Sequence, residues 1–171
     1  MNNTQHDILL QDLDDFIKLR HSMGVRQGWK YSCLEELIRN SGVIMKNLNP
    51  SDRFSAKGEM GACYQNCVEV MSISMEYAYC EGYALHPNHP IPVLHSWLLD
   101  NSKRVVDPTW KSGTYYGIIF NYDWVMDLMN SRSSHNCLGV LAANFLDPTS
   151  FIKLGLPQES FCDNVWQRNQ G

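Results

Sequence analysis

Three residues of this sequence, Cys63, His95 and Asp107, have the side-chain types that nucleophilic acyl transfer requires. A cysteine thiolate attacks a carbonyl carbon, an imidazole takes and returns the proton, and a carboxylate on the second imidazole nitrogen fixes its tautomer. Small residues, Gly61 and Ala62, precede Cys63 and leave room for a substrate carbonyl. The backbone N–H of Cys63 is then a candidate donor to the oxyanion. These residue types predict a catalytic triad if the fold brings them together.

The thiol of Cys63 is predicted to lie at the start of a helix. Neither Pro nor Gly occurs between Ala62 and Ala78. One helical face of this stretch gathers its small and apolar residues, Cys63, Cys67, Val70, Met71, Ser74 and Ala78. Unpaired N–H groups and the dipole at a helix start stabilise a thiolate. We therefore expect Cys63 to be the nucleophile and Cys67 to be a small core residue.

His95 and Asp107 lie in two short predicted strands, residues 93–99 and 104–107, which turn-forming residues separate. Side chains alternate between the two faces of a strand, and opposite residues in a hairpin share a face. A three-residue loop at 101–103 puts His95 and Asp107 on one face as diagonal neighbours, whereas a two-residue loop puts them on opposite faces. The triad therefore predicts a loop with an odd number of residues.

The rest of the pattern predicts helices first and an antiparallel meander after them. Apolar residues recur at helical spacing over residues 8–20, and Ser32 with Glu35 matches a capping box for a second helix that stops at Gly42. The polar stretch 47–61 is predicted to be a loop. Further strands are predicted at 81–85 and 115–120, a further helix at 123–129, and helical segments around 147–148 and 157. This order of elements is typical of an α+β domain.

The composition is that of one globular domain. The 171 residues carry 14 Lys and Arg against 18 Asp and Glu, a net charge of −4, and 44% of them are apolar. A chain of this length can fold as a single domain, residues 1–171, without a disulfide or metal. So few cations argue against nucleic acid as a partner. No apolar stretch approaches the roughly 18 residues of a membrane span, so no membrane partner is expected.

The cysteines and the N-terminal residues bear on the compartment. The sequence starts without a basic and apolar export signal, which predicts a cytoplasmic protein. Thiols stay reduced in that compartment, so free thiols are expected rather than disulfides. The cysteines concerned are Cys33, Cys63, Cys67, Cys80, Cys137 and Cys162.

A series of motifs in the middle of the chain resembles the transglutaminase-like branch of the papain-like superfamily. After the cysteine at a helix start come Glu81-Gly82-Tyr83-Ala84, then His95-Ser96-Trp97, then Val106-Asp107-Pro108-Thr109. That branch carries Cys, Gly-Tyr, His-x-Trp and Asp-Pro-Thr in the same order. The resemblance covers residues 61–110. It implies a papain-like α+β core, with N-terminal helices and the nucleophile helix packed on an antiparallel sheet.

The resemblance also implies acyl transfer through a thioester on Cys63, as in cysteine proteases, amide or ester hydrolases, deamidases and transglutaminases. The substrate would be a protein, a peptide or a small amide, the acceptor either water or an amine, and no cofactor is implied. Since cysteine enzymes can use Asn to orient the imidazole, Asp107→Asn is expected to be milder than His95→Ala. Members commonly have a second oxyanion donor, a Gln or Trp upstream of the nucleophile, for which Gln27 and Trp29 are candidates.

Two other interpretations stay open. In the first, the chain keeps this fold without activity and serves as a protein-binding module. In the second, it binds zinc through some of its cysteines and histidines. The candidate ligands are Cys63, Cys67, Cys80, His86, His89 and His95. We prefer acyl transfer, because the three-residue gap from Cys63 to Cys67 departs from the usual zinc spacing and the prolines beside His86 and His89 favour a rigid turn.

Overall fold

A five-stranded antiparallel sheet with helices packed against it forms the part of the chain that the computed structural model describes, residues 4–45, 48–131, 139–142 and 148–162. The α+β class is therefore confirmed. The helices are α1 (Gln5–Ser22), α2 (Leu34–Ser41), α3 (Cys63–Ile73), α4 (Tyr122–Asn130), α5 (Pro148–Leu154) and a 3-10 turn (Gln158–Ser160). The strands are β1 (Val43–Met45), β2 (Ala78–Leu85), β3 (Val93–Leu99), β4 (Val105–Val106) and β5 (Thr114–Phe120).

The strand order is β1-β5-β2-β3-β4, and every neighbouring pair is antiparallel. Strands β2, β3 and β4 form the predicted meander. Strand β5, predicted only as a further strand, does not continue the meander but returns to the other side of β2 and pairs there along its length. All seven residues of β5 are buried, which suits a central position rather than an edge. Strand β1, which was not predicted, covers the outer edge of β5.

The start of α2 differs from the prediction by one residue. Cys33 rather than Ser32 is the N-cap, and no side chain caps the helix there. The Ser32 backbone N–H donates to the carboxylate of Glu36, the residue after the predicted partner Glu35. The predicted capping box is therefore wrong, although half of its hydrogen bonding survives in a shifted register. The helix stops at its C-cap, Gly42, as predicted.

Helix α3 begins at Cys63, as predicted, but is shorter than the sequence pattern indicates. It ends at Ile73, because Ser74 already has extended dihedral angles, φ −152° and ψ 122°. Ala78, predicted as the last helical position, is instead the first residue of β2. The helical periodicity of the sequence continues past Ile73, but the pairing of β2 with both of its neighbours determines the structure there. Residues 47 and 147 and Cys137, which the sequence analysis also discussed, lie outside the described residues.

Two apolar clusters lie on opposite faces of the sheet. The larger one joins α1, α2, α3 and α4 to residues such as Tyr79, Leu98 and Ile118. The smaller one consists of strand residues and includes Trp97 and Tyr115. His95 belongs to the second face, because it is two residues before Trp97 in β3. In the described ranges no helix combines the length and apolar character that crossing a membrane requires.

Gly117 makes room for Trp97 beside His95, and Gly82 allows the close approach of the β2 and β5 backbones. Gly82 of β2 pairs with His95 on one side and with Gly117 of β5 on the other. A Cβ added to Gly117 would lie 2.6 Å from the Glu81 carbonyl oxygen and 2.7 Å from Trp97 Cη2. Backbone atoms of a central strand cannot yield to such a contact, so the absence of a side chain here sets the position of the Trp97 ring.

Gly117→Ala should therefore lower the free energy of unfolding by about 3 kcal/mol, through overpacking against backbone and Trp97. Denaturant titration of the two proteins measures the difference. Gly24→Ala is the matched control, because a Cβ there meets nothing within 4 Å and only its φ of +104° is unfavourable. The control should lose about 1 kcal/mol. Equal losses in the two variants would mean that Gly117 is not the tight contact described.

Candidate active site

The β3–β4 hairpin has the loop that the triad requires. Leu98 pairs with Val106, and the Asp100 N–H donates to the Arg104 carbonyl at 3.0 Å. Three residues separate Asp100 from Arg104, and the last of them, Lys103, has φ +60°. A left-handed third residue is how three-residue hairpin loops commonly close. The predicted odd-length loop is confirmed.

His95 and Asp107 consequently meet on one face. His95 Nε2 lies 2.8 Å from Asp107 Oδ2, and both side chains are almost completely buried. Oδ1 of Asp107 accepts the backbone N–H groups of Thr109, at 2.7 Å, and Trp110, at 3.0 Å. Oδ2 also accepts the hydroxyl of Tyr115 at 2.8 Å. A carboxylate held this way can only accept, so Nε2 carries the proton and the ring orientation is fixed.

Cys63 lies next to His95, so the side chains of Cys63, His95 and Asp107 form a row. Cys63 is the first residue of α3, and it lies beside β3 where β4 no longer pairs, since β4 pairs only with Leu98 and Leu99. The imidazole of His95 and the backbone N–H of Ser96 lie close enough to its sulfur to lower the pKa of the thiol. Because Asp107 occupies Nε2, the ring nitrogen left for the sulfur is Nδ1. The structure thus brings all three predicted site residues together, with His95 between Cys63 and Asp107.

The charges in this row favour a thiolate. Burial raises the pKa of the Cys63 thiol, but the hydrogen bond and charge of His95 and the donors of Ser96 outweigh it, and the pKa lies below its ordinary value. Burial lowers the pKa of His95, yet the bonds to Asp107 and Cys63 outweigh that effect and raise the pKa to about 9. The two shifts agree with each other. Both shifts favour the thiolate–imidazolium pair over the neutral thiol and imidazole.

The other described thiols are in different surroundings. Burial raises the pKa of Cys67 and of Cys80 well above the ordinary value, and burial raises the pKa of Cys33 to about 11. Cys67 lies one turn after Cys63 and is fully buried in the larger cluster, as predicted. All the described cysteines are free thiols. Of these four described thiols, Cys63 alone has a pKa below its ordinary value.

Aromatic rings hold the imidazole of His95 in its plane. The ring of Trp110 stacks on it at 3.9 Å between centroids and 10° between planes. His86 lies edge-on against the same Trp110 at 5.1 Å and contacts His89 at 5.2 Å. On the sheet side, Trp97 is nearly parallel to His95 at 6.3 Å. These rings exclude water from the imidazole, which strengthens its bonds to Asp107 and to the sulfur.

Asn66 ties the nucleophile helix to the hairpin, a role that sequence reasoning missed. Its amide group donates to Thr109 Oγ1 and to the Glu59 carbonyl, both at 2.8 Å. Its side-chain oxygen accepts the Glu59 N–H at 3.1 Å. Asn66 therefore links α3, the loop before it and the residues that hold Asp107. Its place one turn after Cys63 is the only sequence signal for this role.

The candidate oxyanion donors and the candidate zinc ligands do not form the groups that their proposed roles require. Gln27 is exposed, and the ring of Trp29 packs under the Arg26 guanidinium at 4.2 Å; neither is placed by a described contact as a second oxyanion donor. Among the described residues, no three His, Cys, Asp or Glu side chains are grouped so that they could hold a metal ion. The backbone N–H of Asn88 donates to His86 Nδ1 at 3.2 Å, within the turn that the prolines predicted.

Comparison with known proteins adds no relative. No protein-family model, no curated protein and no solved structure matches this chain. The site geometry is therefore the basis for assigning a function.

Proposed function

We propose that the protein is a cysteine-dependent acyl-transfer enzyme with a papain-like core of the transglutaminase-like kind. The observation that supports this is the row of Cys63, His95 and Asp107, in which His95 is hydrogen bonded to Asp107 and lies beside a thiol at the first residue of a helix. Each group faces the partner that its role requires. Free thiols among the described cysteines fit a reducing compartment, and we place the enzyme in the cytoplasm.

The first half-reaction makes a thioester. The thiolate of Cys63 attacks the carbonyl carbon of an amide or ester, and the carbonyl π electrons move to oxygen. The Cys63 backbone N–H, unpaired because it opens α3, stabilises this oxyanion. As the tetrahedral intermediate collapses, the carbon–nitrogen or carbon–oxygen bond breaks and protonated His95 gives its Nδ1 proton to the leaving group. The amine or alcohol departs, and the acyl group stays on sulfur.

The second half-reaction returns the enzyme to its resting state. His95, now neutral, takes a proton from water or from an amine, which attacks the thioester carbon. The carbon–sulfur bond then breaks, and the electron pair returns to Cys63 as thiolate beside the imidazolium of His95. Asp107 keeps its charge throughout and holds Nε2 in place. The acyl donor is a protein, a peptide or a small amide, and its carbonyl must reach a sulfur atom of a residue that is only 8% exposed.

Cys63 should be alkylated by iodoacetamide before any other cysteine at pH 7. Its lowered pKa keeps the thiolate populated below the pH at which an ordinary cysteine loses its proton, and this reactivity should fall only as the pH drops through that lowered pKa. Burial keeps Cys67 and Cys80 protonated and covered. Peptide mapping by mass spectrometry after short labelling, from pH 5 to 9, measures the order and the pH profile.

His95→Ala is the control for this labelling. Without the imidazolium, Cys63 should react at pH 6.5 several-fold more slowly, because the partner whose charge lowers its pKa is removed. A wild-type Cys63 that reacts no faster than a cysteine in a denatured chain would contradict the proposed enzyme. It would favour the inactive binding module instead.

A further inference from the structure

The hydroxyl of Tyr115 shares an oxygen of Asp107 with the imidazole of His95. Both contacts to Oδ2 measure 2.8 Å, and neither Asp107 nor Tyr115 is open to solvent. The other oxygen, Oδ1, is filled by two backbone N–H groups. The arrangement leaves Oδ2 with one donor that takes part in proton transfer and one that does not.

We propose that Tyr115 is a positioning residue of the acyl-transfer site, which fixes Asp107 Oδ2 for His95 and stabilises the negative charge of the whole row. This inference rests on the function proposed above. With Tyr115 in place, Oδ2 is held from two directions and the carboxylate cannot rotate about its Cβ–Cγ bond. Without the hydroxyl, His95 would be the only donor to an oxygen that water does not reach.

Tyr115 remains a donor across the working pH range. Burial and the neighbouring charge of Asp107 raise the pKa of its hydroxyl far above the ordinary value, so the group stays O–H. Its ring is held beside Trp97 at 4.9 Å and beside His95 at 6.4 Å. The donor is therefore permanent and pre-oriented, which is what electrostatic stabilisation requires.

The charge of the row decides the direction of the effect. Thiolate, imidazolium and carboxylate sum to one negative charge in a buried place, and protonation of the thiolate brings the sum to zero. The O–H dipole of Tyr115 points its positive end at this row, so it favours the charged form. Loss of the hydroxyl should therefore raise the apparent pKa at which the coupled row of Cys63, His95 and Asp107 takes up a proton. The titratable groups that act on Tyr115 are Asp107 and Cys67, and those of the row are His95 and Cys63.

Two neighbouring tyrosines allow a matched test. Tyr116 follows Tyr115 in β5 but faces the other side of the sheet, and its hydroxyl donates to the Arg39 carbonyl, also at 2.8 Å. We would measure iodoacetamide labelling of Cys63 against pH in Tyr115→Phe, Tyr116→Phe and the unchanged protein. In Tyr115→Phe, the pH at which Cys63 labelling falls on acidification should be higher by about half to one unit. Tyr116→Phe should leave the profile in place, although it also loses a tyrosine hydrogen bond, one that is partly buried.

A second measurement covers the case in which Tyr115→Phe does not fold. Replacing Tyr115 by 3,5-difluorotyrosine keeps the ring and makes the hydroxyl a stronger donor, so the profile should move to lower pH. Coincident profiles for the folded Tyr115→Phe variant and the unchanged protein, with Cys63 highly reactive in both, would overturn the role of Tyr115 alone. A Cys63 without raised reactivity in the unchanged protein would instead overturn the proposed enzyme. An unmoved profile in the fluorinated protein would also count against Tyr115.

Discussion

Cys63→Ala should abolish acyl transfer, because no other described residue offers a nucleophile beside His95. With p-nitrophenyl acetate as the probe, the unchanged protein should release a burst of nitrophenol and carry an acetyl group on Cys63, seen by mass spectrometry of the intact chain. Cys63→Ala should show neither, a loss of at least about a thousandfold in rate. Cys63→Ser should be nearly as damaging, since a hydroxyl is far too weak an acid for an imidazole with a pKa of about 9 to ionise.

Cys67→Ala is the matched control, because it removes a thiol from the same helix. Cys67 is fully buried and its sulfur accepts the hydroxyl of Ser96 at 3.5 Å. Its loss should cost about 1 kcal/mol of stability and leave the burst intact. If Cys67→Ala removed the burst while Cys63→Ala kept it, with both variants folded, the nucleophile would be misassigned.

Most of what could be predicted about the site followed from local sequence patterns. Strand β3 has the predicted bounds, Val93–Leu99, and α3 starts at the predicted residue. Both follow from short-range rules: side-chain alternation in a strand, and a helix that begins after Gly61. The hairpin register also follows, since the face shared by His95 and Asp107 depends only on the number of loop residues. Such features are decided within a few residues of chain.

Long-range pairing could not be predicted in the same way. Strand β5 joins β2 rather than β4, and β1 is too short, at three residues, to show an alternating pattern. The choice of neighbour depends on which surfaces the helices cover, because a strand buried on both faces is apolar wherever it lies in the sheet. The sequence of β5 is equally compatible with either place.

Glu81 shows the same limit for a polar residue. The sequence presents it as a charged position in a strand, yet it is completely buried. Its carboxylate accepts the N–H groups of Val140, Leu141 and Ala142 and the hydroxyl of Tyr79. Burial raises its pKa to about 7, although these donors act in the opposite direction. No local pattern indicates that a segment some sixty residues later supplies its partners.

The stacking of Trp110 on His95 could be predicted from the sequence only in part. Trp110 follows Asp107 by three residues and is partly buried. The missed signal is the Asp-Pro-Thr-Trp turn itself. An Asp side chain that accepts N–H groups two and three residues later bends the chain back, which places the fourth residue beside the Asp. Trp110 is thereby folded over the imidazole that Asp107 holds.

His95→Ala should lower the rate of nitrophenol release by about a thousandfold or more, because it removes both the imidazolium that stabilises the thiolate and the proton donor. The sequence argument led to a mild effect for Asp107→Asn, and the structure changes that expectation. Asp107 accepts from four donors: His95 and Tyr115 at one oxygen, and the N–H groups of Thr109 and Trp110 at the other. An asparagine has one acceptor oxygen and one amide group that cannot accept.

Either orientation of that asparagine is unfavourable. If its oxygen keeps the backbone N–H groups of Thr109 and Trp110, its amide faces Nε2 of His95 and favours the tautomer with the proton on Nδ1, where the base must be free. If its oxygen faces His95 instead, the amide meets two N–H donors and leaves them unpaired in a buried place. Asp107→Asn should therefore approach His95→Ala in its loss of nitrophenol release, within about tenfold, at a lower melting temperature. A variant that folds and keeps most of the activity would show that the four-donor arrangement does not control the tautomer of His95.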